Sequence, residues 1–304
     1  MSAPPGPPRP RPRRTVLTAG GGAVRAEIDP AAGGRLASLQ VGGVERLVTA
    51  PTDADPLDSL QWGCFPMAPW AGRLRHATVP WRGRQVALAP TLGAHGLHGV
   101  AWQLPHTVRQ RDSGVAELSC LLPRPRWPWG GRLRQRLELV RDGLAWTLTV
   151  EAGSTMPVAL GWHPWFARPA EGDLSVTVRG QRVLETDEEL LPTGEIRSVR
   201  GEEDLRSGPL LGERRLDHAV VDPRAPAEVR WPDLALRLEW DDAITTVVVH
   251  TPPEGVCVEP QTAWPDALTL GAQGYEGTGL AVRRRGETLT STMRWRWEPL
   301  TPAA

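Results

Sequence analysis

The sequence predicts an all-β protein, a large antiparallel β-sandwich with few short helices, on three observations. Apolar residues recur mostly with a period of two rather than 3.6. Glycine and proline account for 32 and 31 of the 304 residues, and such frequent turn-forming residues favour short strands over long helices. No segment longer than about two turns has a convincing helical pattern.

The first predicted strands are separated by clear turn signals. Residues 24–28 alternate apolar and polar side chains before an Asp-Pro pair. Residues 137–141 and 144–150 flank Asp142-Gly143 and predict a hairpin. Asp-Gly supplies the positive φ values that a type I′ turn requires.

Three further strands are predicted in the C-terminal third of the chain. Residues 234–240 alternate as in a half-buried strand, and residues 245–250 form a β-branched run that suits a central strand. Residues 293–297 alternate in a last strand. The acidic segment 185–189 and the stretch 201–207 are expected to be short helices or loops.

The domain organisation is predicted to be simple. Residues 1–15 are rich in proline and arginine and are expected to be a disordered tail. A twin-arginine export signal is disfavoured because the region that follows is rich in glycine and interrupted by charges. No composition break or fixed-period repeat follows, so residues 16–304 are expected to form a single domain.

Charge and cysteine content exclude several classes of function. Thirty-five basic residues balance 35 acidic ones, so the basic excess of a nucleic-acid-binding surface is missing. No stretch approaches the ~18 apolar residues of a membrane span. Three widely spaced cysteines without a CxxC motif fit a reducing, cytoplasmic location better than a disulfide framework or zinc ribbon.

His163 is the first candidate for acid–base chemistry. It lies in the segment Gly-Trp-His-Pro-Trp-Phe at 161–166, and the proline after it disfavours the α conformation. An imidazole on a stiff strand end among aromatic residues suits a general acid. The alternative is a core histidine with one satisfied hydrogen bond.

Glu259 is the second candidate. It ends an apolar run at 256–258 and precedes Pro260. A carboxylate that emerges from a buried strand is poorly solvated, which raises its pKa and suits a general base. The alternative is an ordinary strand-end glutamate in water.

Other polar residues give weaker signals. His95 and His98 have an HxxH spacing, but they lack a third nearby ligand and a helix, which disfavours a metal site. Arg73 could hold a hydroxyl, carboxylate or phosphate, or could lie on a solvated loop. Asp217 could accept hydrogen bonds from hydroxyls, although a solvated turn aspartate has the same pattern.

Fourteen tryptophans stand against one tyrosine and two phenylalanines. Most are expected in the core. Some could be platforms for a sugar, because an indole face stacks on the apolar face of a pyranose ring. The segments 127–129 and 162–165 are the candidates.

Taken together and in order, six segments resemble the aldose 1-epimerase (galactose mutarotase) family. They are GGRLASL at 33–39, FPMAPWAGRL at 65–74, GLHG at 96–99, GWHPWF at 161–166, LDH at 216–218 and VCVEPQT at 256–262. The HP-aromatic and EPQT segments are the most specific. The resemblance covers roughly residues 23–300.

The resemblance implies a galactose mutarotase-like supersandwich that interconverts sugar anomers without a cofactor or metal. Glu259 would take the proton of the anomeric hydroxyl, and His163 would protonate the ring oxygen. An ionised glutamate and a charged histidine would start the reaction near neutral pH. The remaining implied residues would bind the sugar: Arg73, His98, Asp217, Gln261 and Trp165.

Two departures from the family pattern concern the substrate. Gly72 replaces the asparagine that usually precedes the arginine, and Trp165 replaces the usual tyrosine. A hexose-6-phosphate mutarotase is one alternative, since Arg75, Arg124, Arg126 and Arg132 could hold a phosphate. A non-catalytic sugar-binding protein is another, whereas a glycosidase would want a second carboxylate. The protein is expected to be a monomer or homodimer.

Overall fold

The computed structural model describes residues 13–51 and 59–300, and it is built mainly from antiparallel strands. This confirms the predicted fold class. The first thirteen strands are β1 Thr15–Ala19, β2 Val24–Asp29, β3 Arg35–Val41, β4 Val44–Glu45, β5 Cys64–Met67, β6 Arg73–Leu74, β7 Thr78–Trp81, β8 Arg84–Ala87, β9 Gly96–Leu97, β10 Thr107–Gln110, β11 Val115–Leu121, β12 Gly131–Val140 and β13 Gly143–Ala152.

The strands continue to the end of the described chain. They are β14 Met156–Val158, β15 Gly161–Ala167, β16 Ser175–Arg179, β17 Arg182–Thr186, β18 Pro192–Ser198, β19 Asp217–Val221, β20 Arg224–Arg230, β21 Leu234–Trp240, β22 Thr246–His250, β23 Gly255–Gln261, β24 Ala281–Arg283 and β25 Thr288–Pro299. Helical structure in the described residues is limited to α1 Ala267–Ala272 and the 3₁₀ turns Gly20–Gly22, Arg75–Ala77, Ala101–Gln103 and Gly201–Glu203. No helix there is long and apolar enough to cross a bilayer.

Two large sheets contain most of the strands. The eleven-stranded sheet runs β1-β2-β3-β5-β15-β23-β22-β19-β17-β18, with β4 on the edge of β3. The eight-stranded sheet runs β10-β11-β12-β13-β25-β21-β20-β16. Three two-stranded ribbons, β14-β24, β6-β9 and β7-β8, complete the fold.

The hydrophobic core lies between the two sheets. One contiguous apolar cluster draws Leu39 and Val249 from the eleven-stranded sheet and Trp146 and Leu236 from the eight-stranded sheet. Because strand side chains alternate between faces, residues next to these core positions point to the opposite face. That outer face of the eleven-stranded sheet holds the candidate site.

Most predicted strands coincide with observed ones. The predicted strand 234–240 is β21, residues 24–28 lie in β2, residues 293–297 lie in β25, and the run 245–250 is β22 with its first residue omitted. The segment 185–189 instead finishes β17 and enters a turn, while 201–203 form one 3₁₀ turn.

The predicted hairpin exists, but its turn was placed one residue too late. Val140 pairs with Gly143, so the turn residues are Arg141 and Asp142. Neither Asp142 nor Gly143 has a positive φ. Gly143 instead allows a close approach of two strands, since a Cβ there would lie 2.6 Å from the Trp295 carbonyl oxygen.

The boundary of the N-terminal tail was also predicted too late. Thr15 already pairs with Ile28 in β1, and Arg14 contacts Glu27 at 3.0 Å. Arg14 and Thr15 therefore belong to the folded domain and not to the tail. Residues 1–12 of the predicted tail lie outside the described residues.

Several of the predicted sugar platforms are core residues. Trp127, Trp129 and Trp162 are buried. Trp127 packs against Trp129 at 4.5 Å and against Trp70 at 5.6 Å between ring centroids. Within the two candidate segments, only Trp165 lines the cavity described below.

Candidate active site

A cavity of about 290 Å³ lies on the outer face of the eleven-stranded sheet. Four adjacent strands, β15, β23, β22 and β19, form its floor. The ribbon β6-β9 and its neighbouring loops form a wall. All seven residues named from the sequence line this cavity: Arg73, His98, His163, Trp165, Asp217, Glu259 and Gln261.

His163 and Glu259 form a buried pair on neighbouring strands. His163 Nε2 lies 3.3 Å from Glu259 Oε1, and both side chains are almost inaccessible to solvent. Gln261 Nε2 donates a hydrogen bond of 3.2 Å to Glu259 Oε2. One carboxylate oxygen therefore meets the imidazole while an amide fixes the other.

Burial acts in opposite directions on the two members of this pair. It raises the pKa of Glu259 well above 4.5, and the nearby Asp217 charge adds to the effect. It lowers the pKa of His163 well below 6.5, and the neighbouring histidines and Arg35 reinforce that shift. The raised Glu259 pKa agrees with the sequence prediction.

Burial opposes the starting protonation expected from the sequence. An ionised glutamate beside a charged histidine was expected, but desolvation disfavours both charges. The described site therefore favours a neutral carboxyl beside a neutral imidazole. The charged pair and the neutral pair contain the same number of protons and differ only in whether the shared proton is on His163 or on Glu259.

Aromatic rings fix the plane of the His163 imidazole. Phe65 stacks on it with centroids 4.7 Å apart, and Trp165 lies nearly parallel to it at 5.4 Å. His98 approaches edge-on at 4.8 Å. His163 Nδ1 has no hydrogen-bond partner among the described residues, so ring contacts hold the imidazole from three directions.

Arg73 and His98 reach the cavity from the ribbon. Arg73 pairs with Leu97 across β6 and β9, and its guanidinium lies 3.8 Å from the Asp217 carboxylate. The His98 backbone N–H donates to the Gly72 carbonyl. Burial lowers the pKa of His98 to about 3, so its ring is neutral at neutral pH.

The glycine before Arg73 is required by its surroundings. Gly72 has φ +71°, and a Cβ there would lie 2.7 Å from Pro265 Cβ. The side chain of an asparagine at this position would collide with the proline ring. Glycine is therefore the residue that fits between Ala71 and Arg73 in this packing.

The HxxH histidines do not act as a pair. His98 lines the cavity, whereas His95 Nδ1 accepts the His76 backbone N–H and its Nε2 lies 3.5 Å from Glu189. The described donor atoms that do cluster are those of His163, Cys257 and Glu259, within 4.8 Å of one another. This His-Cys-Glu set could hold a metal ion, although burial raises the pKa of the Cys257 thiol.

Sequence reasoning assigned no role to four polar residues of the cavity: Gln61, Thr186, His218 and His250. His250 ends β22, contacts Trp165 edge-on at 5.8 Å and lies 3.9 Å from Asp217. Its position follows from the register that pairs Asp217 with His250. The only feature of the sequence that could have indicated His250 is its position as the last residue of the predicted strand 245–250.

The fold and cavity define an antiparallel β-sandwich protein with a small-molecule site built on the outer face of one sheet. A model of the aldose 1-epimerase family matches residues 15–296. The chain belongs to that family.

Two curated relatives match part of the chain. The uncharacterized protein YphB of Escherichia coli K12 is 34% identical over 109 residues, which are 34% of this chain and 36% of YphB. The galactose mutarotase of Bos taurus is 33% identical over 158 residues, 47% of this chain and 45% of that protein. The matches thus span less than half the length of these relatives.

Solved structures share the fold over nearly the whole chain. A putative aldose 1-epimerase from Escherichia coli K12 has a TM-score of 0.81 at 22% identity, with 95% of this chain and 99% of that chain covered. A galactose mutarotase-like protein from Clostridium acetobutylicum has a TM-score of 0.82 at 18% identity, with coverage of 94% and 95%. At these identities the likeness concerns the fold.

Proposed function

We propose that the protein is an aldose 1-epimerase that interconverts the α and β anomers of a free hexose without a cofactor. The observation that carries the proposal is the His163 Nε2–Glu259 Oε1 pair, 3.3 Å apart within the cavity. At about 290 Å³, the cavity is near the lower end of small-molecule sites and suits one sugar ring.

The reaction opens and re-closes the hemiacetal. Glu259 takes the proton of the anomeric hydroxyl, and His163 delivers a proton to the ring oxygen as the C1–O5 bond breaks. Rotation about C1–C2 then turns the other face of the aldehyde towards the C5 hydroxyl. Re-closure reverses both proton transfers and gives the other anomer.

The two protonation states of the His163–Glu259 pair correspond to the two stages of this cycle, the closed ring and the open aldehyde. Ring opening converts a carboxylate beside an imidazolium into a carboxyl beside an imidazole. The second arrangement is the one that burial favours. Because burial favours the neutral pair, the cycle begins with transfer of the Glu259 proton to His163 across their 3.3 Å contact. Ring opening then returns the pair to its neutral arrangement, and re-closure uses the same groups in the reverse direction.

The other cavity residues position the sugar. Trp165 offers an indole face for the apolar side of the ring, and Arg73, His98 and Asp217 offer donors and acceptors for hydroxyls. Gln261 holds Glu259 by its amide N–H. Fixed placement of the ring between acid and base contributes to the rate without a metal.

A phosphorylated hexose is less well supported as the substrate, because the four arginines that could hold its phosphate do not line the cavity. Arg75 pairs with Asp187 at 3.0 Å, Arg124 donates to the Pro128 carbonyl and Arg126 to Gln103. Arg132 lies on β12 in the other large sheet. Among the described lining residues, Arg73 is the only arginine.

We expect glucose 6-phosphate to be the poorer substrate. Its dianion would lose hydration without gaining a matching cluster of cations, so kcat/KM should be at least about tenfold lower than for glucose. Relaxation of freshly dissolved anomers, followed by polarimetry or NMR, measures both. A preference for the phosphorylated sugar would favour the hexose-6-phosphate mutarotase instead.

Removal of metal ions should leave the activity unchanged, because every proton transfer is assigned to a side chain. The test is the mutarotation rate before and after dialysis against EDTA. A matched sample restored with Zn²⁺ is the control. Loss of activity with EDTA and recovery with Zn²⁺ would instead assign His163, Cys257 and Glu259 to a required metal.

The proposal includes a cytoplasmic location and a monomer or homodimer. The location is supported by three buried cysteines without a disulfide, Cys64, Cys120 and Cys257, which suit a reducing compartment.

The experiment that tests the proposed activity is polarimetry on freshly dissolved α-D-glucose and α-D-galactose. A non-catalytic sugar-binding protein would bind these sugars without accelerating their relaxation.

A further inference from the structure

Arg35, at the start of β3, is a fully buried cation without a counter-charge within salt-bridge distance. Its Nη1 donates a 2.9 Å hydrogen bond to the Trp62 carbonyl, whereas Nε and Nη2 have no partner among the described residues. No described carboxylate lies within 4 Å of it. A buried guanidinium in this state is costly, so its presence needs a reason beyond stability.

The contacts of Arg35 lead directly to the candidate site. Its guanidinium carbon lies 4.1 Å from the Trp62 ring centroid and 4.7 Å from that of Phe65. Phe65 stacks on the His163 imidazole, and His163 stacks on Trp165. A continuous series of stacked groups thus connects a buried charge with the candidate acid.

We propose that Arg35 is a positioning residue for proton transfer, an inference that rests on the proposed function. It fixes Phe65, and through Phe65 the plane of His163. It also places a buried positive charge behind the imidazole, with Asp29 on β2 as the carboxylate that acts on it from beyond salt-bridge distance. Arg35 touches neither the cavity nor the sugar, and it acts only through His163.

The charge has a defined effect on His163. A nearby cation disfavours the imidazolium, so it lowers the pKa of His163 and makes the protonated ring a stronger acid for the ring oxygen. Arg35 and His163 each lie 4.7 Å from the Phe65 ring centroid, so one intervening ring separates the charge from the imidazole.

Other charged and titratable groups surround His163, and the test must separate Arg35 from them. They are Glu259 and Cys257 on β23, Cys64 on β5, His98 after β9, His250 on β22, and Arg73 and Asp217 at the cavity wall. His98 is neutral above its pKa of about 3. Burial lowers the pKa of Arg35 to about 9, so it stays charged at neutral pH and is the buried charge that a substitution can remove without altering the cavity lining.

A purely structural role is the alternative. The Trp62 carbonyl precedes Gly63, whose position is so tight that a Cβ would lie 3.0 Å from Arg35 Cδ. In this alternative, the hydrogen bond from Arg35 to the Trp62 carbonyl only fixes the backbone conformation just before β5. Such a role predicts lower stability when the side chain is changed, and no specific effect on His163.

The experiment compares Arg35→Met, Arg35→Lys and the control Arg46→Met. Arg46 is also buried and lies over Trp231, but it has a carboxylate partner in Asp233 at 2.6 Å. The pKa of His163 is followed by NMR of its ring nitrogens, with His163→Asn to assign the signal. The pH dependence of mutarotation is measured beside it.

We expect Arg35→Met to raise the pKa of His163, to move the acid limb of kcat to higher pH, and to leave the melting temperature equal or higher. Arg35→Lys should restore much of the lower pKa. Arg46→Met should lower the melting temperature and leave the His163 pKa unchanged.

An unchanged His163 pKa in Arg35→Met, or equal pKa shifts with methionine and lysine, would overturn the proposal. If Arg35→Met does not fold, the neutral variant Arg35→Gln takes its place, and an unchanged His163 pKa in that variant overturns the proposal. The NMR titration does not depend on turnover. Failure of the proposed function would appear as an inactive wild type, and the Arg35 result would remain measurable.

Discussion

Glu259→Gln is expected to reduce the mutarotation rate by about 10²–10⁴-fold, because the amide cannot take the proton of the anomeric hydroxyl. The side chain keeps its size, its oxygen still accepts the Gln261 amide hydrogen bond, and its NH2 group can donate to a neutral His163 Nε2. Sugar binding should therefore be largely retained, as measured by calorimetry with galactose or glucose. Glu254→Gln is the matched control, since Glu254 is exposed on the turn before β23.

The same substitution should stabilise the fold in a pH-dependent way. The pKa of Glu259 is raised in the folded protein, so folding disfavours the ionised carboxylate that the unfolded chain adopts above about pH 4.5. This cost increases with pH until the folded pKa is reached. The melting temperature of Glu259→Gln should exceed that of the wild type by a margin that increases as pH rises above 5.

His163→Asn is expected to lower kcat by about 10²–10⁴-fold with a smaller change in KM, because asparagine has no titratable proton to deliver to the ring oxygen. Steady-state kinetics of anomer relaxation measures both constants. His76→Asn is the matched control. His76 is exposed at φ +49°, a conformation that asparagine tolerates well.

The two substitutions should not be additive if Glu259 and His163 act as one unit. The double variant should be about as slow as the slower single variant, as expected when a cycle fails at either transfer. A wild-type rate in His163→Asn would remove that residue from the mechanism. Independent, multiplicative losses would contradict a shared proton cycle.

The sequence was informative about the site because its motifs fix extended backbone, although His163 and Glu259 lie inside β15 and β23 and not at strand ends as expected. His163 and Glu259 each precede a proline that holds the chain extended, and each lies on a strand whose neighbouring residues alternate into the core. The motif order therefore indicated which side chains meet. All seven residues named in advance line one cavity, although their roles stay predictions.

Features that depend on contacts between strands distant in the chain could not be predicted from the sequence. The protonation of the His163–Glu259 pair depends on burial from all sides, so the sequence could not indicate that desolvation disfavours the expected charged pair. His250 reaches the cavity because β22 lies beside β19, 33 positions from Asp217 in the numbering and directly opposite it in register. Trp127 looked like a platform, but its surroundings are core.

The most direct test of the central claim is polarimetry of freshly dissolved α-D-galactose and α-D-glucose with the wild type and Glu259→Gln at equal concentrations. The account predicts that the wild type accelerates relaxation of at least one sugar to its equilibrium rotation, while Glu259→Gln stays close to the uncatalysed rate. Equal acceleration by both proteins, or none by the wild type, would contradict it.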